Sequence, residues 1–223
     1  MCGRFTLHPE PARIPEQFQV DRMLDLAPRF NIAPSQDVAA VRTAPDGARE
    51  LVMLHWGLVP RWADQAKTGY STINARAETV ASKPAYREAY RRRRCLIPAD
   101  GFYEWAAAPG GKQPHYFTLR DGSPFAFAGL WERWEKAGEA LESCAIIVTE
   151  ANALVRPIHD RMPVILDPAD YALWLNPDMR AAAKLAPLLR PLDARKMAER
   201  AVSRRVNSPA NDDPRCIDPA RSE

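Results

Sequence analysis

The 223-residue chain reads as a single α+β domain, residues 1–223, built on a mainly antiparallel twisted sheet. Three observations carry that reading. Short apolar runs of strand character recur between Val38 and Leu166, each bounded by Gly, Pro, Asp or Asn. Helix-period stretches are few and interrupted by proline, of which the chain has 21. No internal repeat and no linker-like stretch divides the sequence.

Taken in order, residues 9–19 form a short helix or turn segment broken by Pro11 and Pro15. Phe30-Asn31-Ile32-Ala33-Pro34-Ser35 is a loop signal, followed by a strand at 38–42 and another at 51–56 that ends at Gly57. Residues 60–72 are loop, and 76–91 are helix-like with an interruption at Pro84. Strands follow at 95–98 and 101–106, turned by Asp100-Gly101. Residues 116–120 and 125–131 flank Asp121-Gly122-Ser123-Pro124, which predicts a hairpin. Further strands fall at 142–149 and 162–166. Asp167-Pro168 then caps a helix carrying Tyr171, Leu173, Trp174 and Leu175, and Pro177 stops it. Residues 178–189 are predicted helical and 198–206 a last strand, with a polar, mobile tail from about Ser208.

Composition narrows the function classes. An apolar content of 46% suffices for a core, and a net charge of +3 permits a nucleic-acid partner without demanding one. The four cysteines (Cys2, Cys95, Cys144, Cys216) form no Cys-x-x-Cys pair and the four histidines are scattered, which disfavours a zinc site. Their wide spacing suits a reducing cytoplasm better than a disulfide scaffold. The first 20 residues lack the apolar run of a signal peptide, and no stretch approaches the ~20 apolar residues of a membrane span.

The chemistry begins at Met1-Cys2-Gly3-Arg4-Phe5. Removal of Met1, by an aminopeptidase or by the protein itself, would leave Cys2 with an α-amine and a thiol on adjacent carbons. These titrate near ~8 and ~8.5 when unperturbed. Such a pair condenses with an aldehyde to an imine, and the thiol then closes a five-membered thiazolidine. An internal cysteine cannot do this, because its nitrogen is locked in an amide.

Three further patches set a polar group in an apolar frame. Ser71-Thr72-Ile73-Asn74-Ala75-Arg76-Ala77-Glu78 offers an amide and a guanidinium, though taken alone it reads first as a helix N-terminus with ordinary capping. In Gly101-Phe102-Tyr103-Glu104-Trp105, Glu104 sits on the strand face opposite Tyr103 and Trp105; burial would raise its pKa and suit it to acid–base work, while a strand-edge carboxylate is the ordinary alternative. Ile158-His159-Asp160-Arg161-Met162-Pro163-Val164 places a histidine before a strand, in a structural or a proton-shuttling role. Arg91-Arg92-Arg93-Arg94 is a solvated face or a phosphate contact, and Trp56-Gly57-Leu58-Val59-Pro60-Arg61-Trp62 offers two indoles to the core or to a nucleobase.

Taken together these segments, with Phe30-Asn31-Ile32-Ala33-Pro34 and Arg94-Cys95-Leu96-Ile97-Pro98, resemble the SRAP family, named for SOS-response-associated peptidase. They span residues 1 to about 166 in family order, and their conjunction is specific where each alone is weak. Phe30 departs from the pattern, standing where a tyrosine is frequent. The resemblance implies a sheet approaching a barrel, flanked by helices, and a basic groove for single-stranded DNA. It implies that Cys2, once Met1 is lost, forms a thiazolidine crosslink with the ring-opened aldehyde of an abasic site and shields it. It further implies that Asn74 orients the adduct, Glu104 promotes ring opening and imine formation, and His159 assists proton transfer and reversal. Arg4, Arg76 and Arg161 would contact phosphate or adduct, and Trp56 or Trp62 would stack on bases. No metal or organic cofactor is needed, and the expected protein is a monomer of the cytoplasm, nucleoid-associated, with an enzyme class of peptidase, hydrolase or lyase. Three rivals stand beside this: an N-terminal-cysteine glutamine amidotransferase, a thiol peptidase acting on other proteins, and a non-covalent single-strand-binding module.

Overall fold

Strands buried along most of their length organise the molecule, and the N-terminal segment lies inside a sheet rather than at its margin. The computed structural model describes residues 2–8, 13–66 and 72–220. Met1, Pro11 and Ser71, on which some of the expectations above fall, lie outside the described residues.

The strands are β1 (Phe5–Leu7), β2 (Arg29–Ile32), β3 (Asp37–Thr43), β4 (Arg49–Trp56), β5 (Asn74–Arg76), β6 (Arg94–Ala99), β7 (Gly101–Ala108), β8 (Gly111–Leu119), β9 (Phe125–Lys136), β10 (Glu139–Glu150), β11 (Arg161–Pro163), β12 (Ile165–Leu166) and β13 (Met197–Ala201). Among the described residues four short α-helices accompany them: α1 (Arg13–Phe18), α2 (Arg87–Arg92), α3 (Tyr171–Leu175) and α4 (Ala182–Leu185). One antiparallel sheet has the order β13-β8-β7-β1-β2. The other runs β11-β10-β4-β3-β6-β9-β12, with β5 also on β10. Because β9 pairs β10 as well, the pairings β10-β4-β3-β6-β9 close on themselves. β4 and β5 run parallel to β10, so this sheet is mixed.

Aromatic side chains join the sheets. Phe5 of β1 meets Trp56 and Phe127 edge-on, with ring centroids 5.2 and 5.6 Å apart. Phe102 stacks on Phe117 at 5.0 Å. These contacts exceed simple area burial by about 1 kcal/mol each. A second, smaller cluster of Tyr103, Tyr116, Val202, Val206 and Cys216 covers the opposite face of the first sheet. Residues after Ser208 therefore do not trail away as expected. Cys216 is fully buried, and the Asp212 carboxylate accepts the Phe30 and Asn31 amide hydrogens, which protects the otherwise open edge of β2.

Other expectations change too. The segment from Phe30 begins as edge strand rather than loop. Residues 77–86 are turns, and only Arg87–Arg92 is helical. In the 178–189 stretch the α-helix covers just Ala182–Leu185, followed by a 3₁₀ turn. A hydrogen-bonded turn does form at Leu119–Gly122, but β8 and β9 join different sheets, so no hairpin results. A turn signal specifies a reversal and says nothing of which neighbour each strand bonds. Tight hairpins occur instead between β7 and β8 and at Ala137-Gly138, where φ values of 53° and 83° match the twist of β9 and β10.

The arginine run divides between exposed and internally bonded side chains. Arg91 and Arg92 lie near Glu88, and Arg93 pairs with Glu132. Arg94 is buried and donates to the carbonyls of Tyr90, Trp174 and Asn176 at 2.7, 2.7 and 2.5 Å, joining the ends of α2 and α3. Burial lowers its pKa to about 10, so it stays charged at neutral pH. Arg94→Ala strands those carbonyls and should cost about 3 kcal/mol of unfolding free energy, measured by urea denaturation.

Candidate active site

β1 is held on both edges, between β7 and β2. The Tyr103 amide donates to the Arg4 carbonyl at 3.0 Å, which extends the β1–β7 pairing toward the N-terminus. Thr6 is fully buried; its hydroxyl shares a 2.8 Å hydrogen bond with the Tyr116 hydroxyl and also bonds the Asp100 carboxylate. Asp100 in turn accepts the His8 amide hydrogen at 2.5 Å. Cys2 is therefore delivered to a fixed place, fully buried, beside the Glu104 charge.

β5 arrives from the other sheet. Its pairing with β10 puts Asn74 opposite Ile146, and the Asn74 amide donates to the Cys2 carbonyl at 2.8 Å. The Tyr86 hydroxyl fixes the Asn74 backbone by donating to its carbonyl at 3.1 Å. The Asn74 side-chain oxygen is buried and has no hydrogen-bond partner among the described residues. An orphaned acceptor of this kind is costly in a finished core and suits an incoming hydroxyl or amine.

Glu104 is 3% exposed, two residues beyond the core residue Phe102 and on the same face of β7. Burial raises its pKa to about 7; the Asp160 charge adds to this and Lys112 opposes it. The carboxyl thus exchanges a proton near neutrality. Burial, reinforced by Glu104, pushes the Cys2 thiol well above its ordinary value. The thiol is consequently protonated at rest and needs a base.

His159 sits in the turn before β11 with its ring part-exposed. Its Nδ1 lies 3.0 Å from the Arg161 amide nitrogen and 3.2 Å from the Arg161 carbonyl oxygen, so it can accept from the one or donate to the other. Nδ1 is also 3.0 Å from the Asp160 carboxylate, a partner for the protonated ring. Burial lowers the His159 pKa, so the neutral form prevails at pH 7.

The Asn74 amide thus reaches Cys2, and Glu104 lies near enough for its charge to raise the Cys2 thiol; the Asp160 charge acts on Glu104, and Asp160 adjoins His159. The residues expected to touch DNA divide. Arg76 is exposed at the end of β5, and Trp62 is 62% exposed in the loop after β4. Arg161 pairs with Glu78. Arg4 donates to Asn31 and to the Val206 carbonyl and lies over the Trp105 ring. Trp56 cannot stack on a base: it is fully buried, and its indole donates to the Ile73 carbonyl at 3.0 Å. Its place in β4, facing Phe5, decides this. Sequence reasoning missed the parts played by Asp160 and Lys112; one adjoins the histidine, and the other returns along β8 toward Glu104.

A family model described as SOS response associated peptidase (SRAP) matches residues 1–209. The chain is 46% identical over 224 residues to abasic site processing protein YoqW of Bacillus subtilis (strain 168), covering 98% of this chain and 99% of that protein. It is 37% identical over 202 residues to abasic site processing protein HMCES of Gallus gallus, covering 79% of this chain and 59% of the relative. A crystal structure of a Bacteroides thetaiotaomicron protein superposes with a TM-score of 0.86 at 26% identity, covering 99% of this chain and all of that one.

A raised carboxyl pKa has a defined effect on stability. The folded state binds the Glu104 proton more tightly than the unfolded chain, whose value is 4.5. That stability is fully present below pH 4.5 and is lost as pH rises through about 7. Relative to Glu104→Gln, the wild type should therefore lose about 3 kcal/mol across that window in urea denaturation. Parallel curves for the two proteins would remove the buried-acid assignment.

Proposed function

The chain belongs to the SOS response associated peptidase family, and on that premise we propose that it captures abasic sites in single-stranded DNA as a covalent thiazolidine through Cys2, once Met1 has been removed. The observation that carries the proposal is the juxtaposition of Cys2, the Asn74 amide and a buried carboxyl poised near neutrality. That is the set an amine, a thiol and a sugar aldehyde require.

The abasic sugar equilibrates between a closed hemiacetal and an open aldehyde. Protonated Glu104 donates to the ring oxygen as the aldehyde forms and recovers the proton that the anomeric hydroxyl releases. The Cys2 amine adds to that carbon, Glu104 protonates the departing hydroxyl, and one water leaves with the protonated imine, Glu104 then being a carboxylate. The Cys2 sulfur then attacks the imine carbon. Its proton passes to the Glu104 carboxylate, so the ring closes on a neutral nitrogen and the carboxyl is restored. Asn74 offers its unmatched oxygen to the sugar. His159, neutral at rest, supplies and accepts protons when the sulfur leaves in reversal. A buried site raises the effective concentration of amine against aldehyde and excludes competing water.

Arg76 and Trp62 supply the path for the flanking strand, one as a phosphate contact and the other as a stacking face. Self-removal of Met1 gives a natural origin for the peptidase part of the family's description.

Cys2→Ser keeps the amine and removes the thiol. The heat-stable adduct on a denaturing gel should disappear, while a borohydride-trapped imine persists. A heat-stable adduct from the serine variant would exclude the thiazolidine. Separately, Arg76→Ala should reduce the salt dependence of single-strand binding by about 0.7 in log–log slope, the share of one phosphate. An unaltered slope would take Arg76 out of the phosphate contacts.

A further inference from the structure

The Phe30-Asn31-Ile32-Ala33-Pro34 segment contributes nothing to the chemistry above, yet Asn31 is among the few fully buried polar residues. Its side-chain oxygen accepts from Arg4 Nη1 at 2.7 Å. Its amide nitrogen faces three carbonyls, those of Val206, Ser208 and Asn211, at 3.3, 3.0 and 2.6 Å. Three carbonyls on one side and a guanidinium on the other fix the orientation of the amide. Its own backbone N–H is held by Asp212 at 2.9 Å.

Asn31 is thus a node between two ends of the chain. On one side is Arg4, two residues from Cys2, whose carbonyl accepts the Tyr103 amide hydrogen. On the other is the segment 206–212, which also grips the strand that bears Glu104. Val206 accepts a second bond from Arg4 at 2.8 Å, and the Asn207 side chain accepts from the Trp105 indole at 2.8 Å. The Arg4 guanidinium lies 5.5 Å from the centre of the Trp105 ring. The residues that flank Cys2 and Glu104 are therefore secured by one C-terminal strap, and Asn31 is the buried link that holds the strap to Arg4.

We propose that Asn31 is a positioning residue for adduct formation: through Arg4 and the 206–212 strap it sets the distance and angle at which Cys2 meets a sugar held by Glu104. The proposal rests on the crosslinking function for its kinetic consequence, and on geometry alone for the tether itself. Misplacing a reacting group by an ångström costs up to about 10²-fold in rate while leaving remote binding intact.

Two substitutions separate the tether from Arg4. Asn31→Asp keeps an acceptor for the guanidinium but turns a carboxylate oxygen toward three carbonyls, which repels the strap. Asp212→Ala removes the outer anchor from a part-exposed position and tests the same tether if Asn31→Asp prevents folding. Asp212→Asn keeps an acceptor oxygen and is the conservative control. Proteins with Met1 removed, verified by intact mass, are mixed with an abasic oligonucleotide, and single-turnover formation of heat-stable adduct is followed across oligonucleotide concentration. Hydrogen exchange of the Tyr103 amide is measured on the same proteins.

Asn31→Asp and Asp212→Ala should lower the saturating rate by roughly tenfold or more with the half-saturating concentration little moved. Tyr103 exchange should accelerate in both, and Asp212→Asn should restore rate and protection. An unaltered saturating rate overturns the proposal, as does a loss confined to half-saturation, which would make Arg4 a DNA contact. If the wild type forms no adduct, the crosslinking function fails on its own terms and the amide decides the tether. Faster exchange in the two disruptive variants upholds it, and unaltered protection overturns it.

Discussion

Everything in this site depends on the N-terminal segment being an interior strand. β1 has only three residues, yet it is paired on one side with β7 and on the other with β2. Chain ends ordinarily fray, because few contacts repay the entropy of ordering them. Here Phe5 anchors in the aromatic core, and the buried Thr6 bonds Asp100 and Tyr116. A cysteine at position 2 is thereby held as firmly as a core residue while remaining next to the terminus. A reaction that needs an α-amine demands that combination.

The same burial sets the electrostatics. A carboxyl taken out of water loses the solvation of its charged form, so Glu104 rises to about 7 and the Cys2 thiol rises with it. Under the proposed chemistry, this desolvation gives an acid that can donate at neutral pH and a nucleophile that waits for its base. Asp160 and Lys112 trim the carboxyl in opposite directions. Asn74, tethered to the Cys2 carbonyl, aligns the cysteine with the second sheet.

Much of this was legible in the sequence because short apolar runs bounded by turn residues, and the opposite facing of neighbouring strand residues, are local properties. Phe102 and Glu104 share a face whatever the rest of the fold does, and the strands at β3, β4, β6, β7 and β10 follow from their own residues. The rest depended on partners far away in the chain. Trp56 offers an indole to solvent or to Phe5 with equal local plausibility, and the sheet decides for Phe5. Arg94 looks like the last of four exposed cations until α3 supplies carbonyls from 80 residues away. The polar residues after Ser208 carry the composition of a tail, but Asp212 and Asn211 find the amide groups of β2 and Asn31. Polar segments that bind backbone cannot be told from disordered ones by composition.

The central claim is that the α-amine and thiol of Cys2 both end on one sugar carbon. Intact mass spectrometry after incubation with an abasic oligonucleotide tests it most directly. The account predicts a species whose mass is the oligonucleotide plus the protein without Met1, less one water, with fragmentation placing the added mass on Cys2. Absence of a covalent species, or an adduct mapped to a lysine, would contradict it.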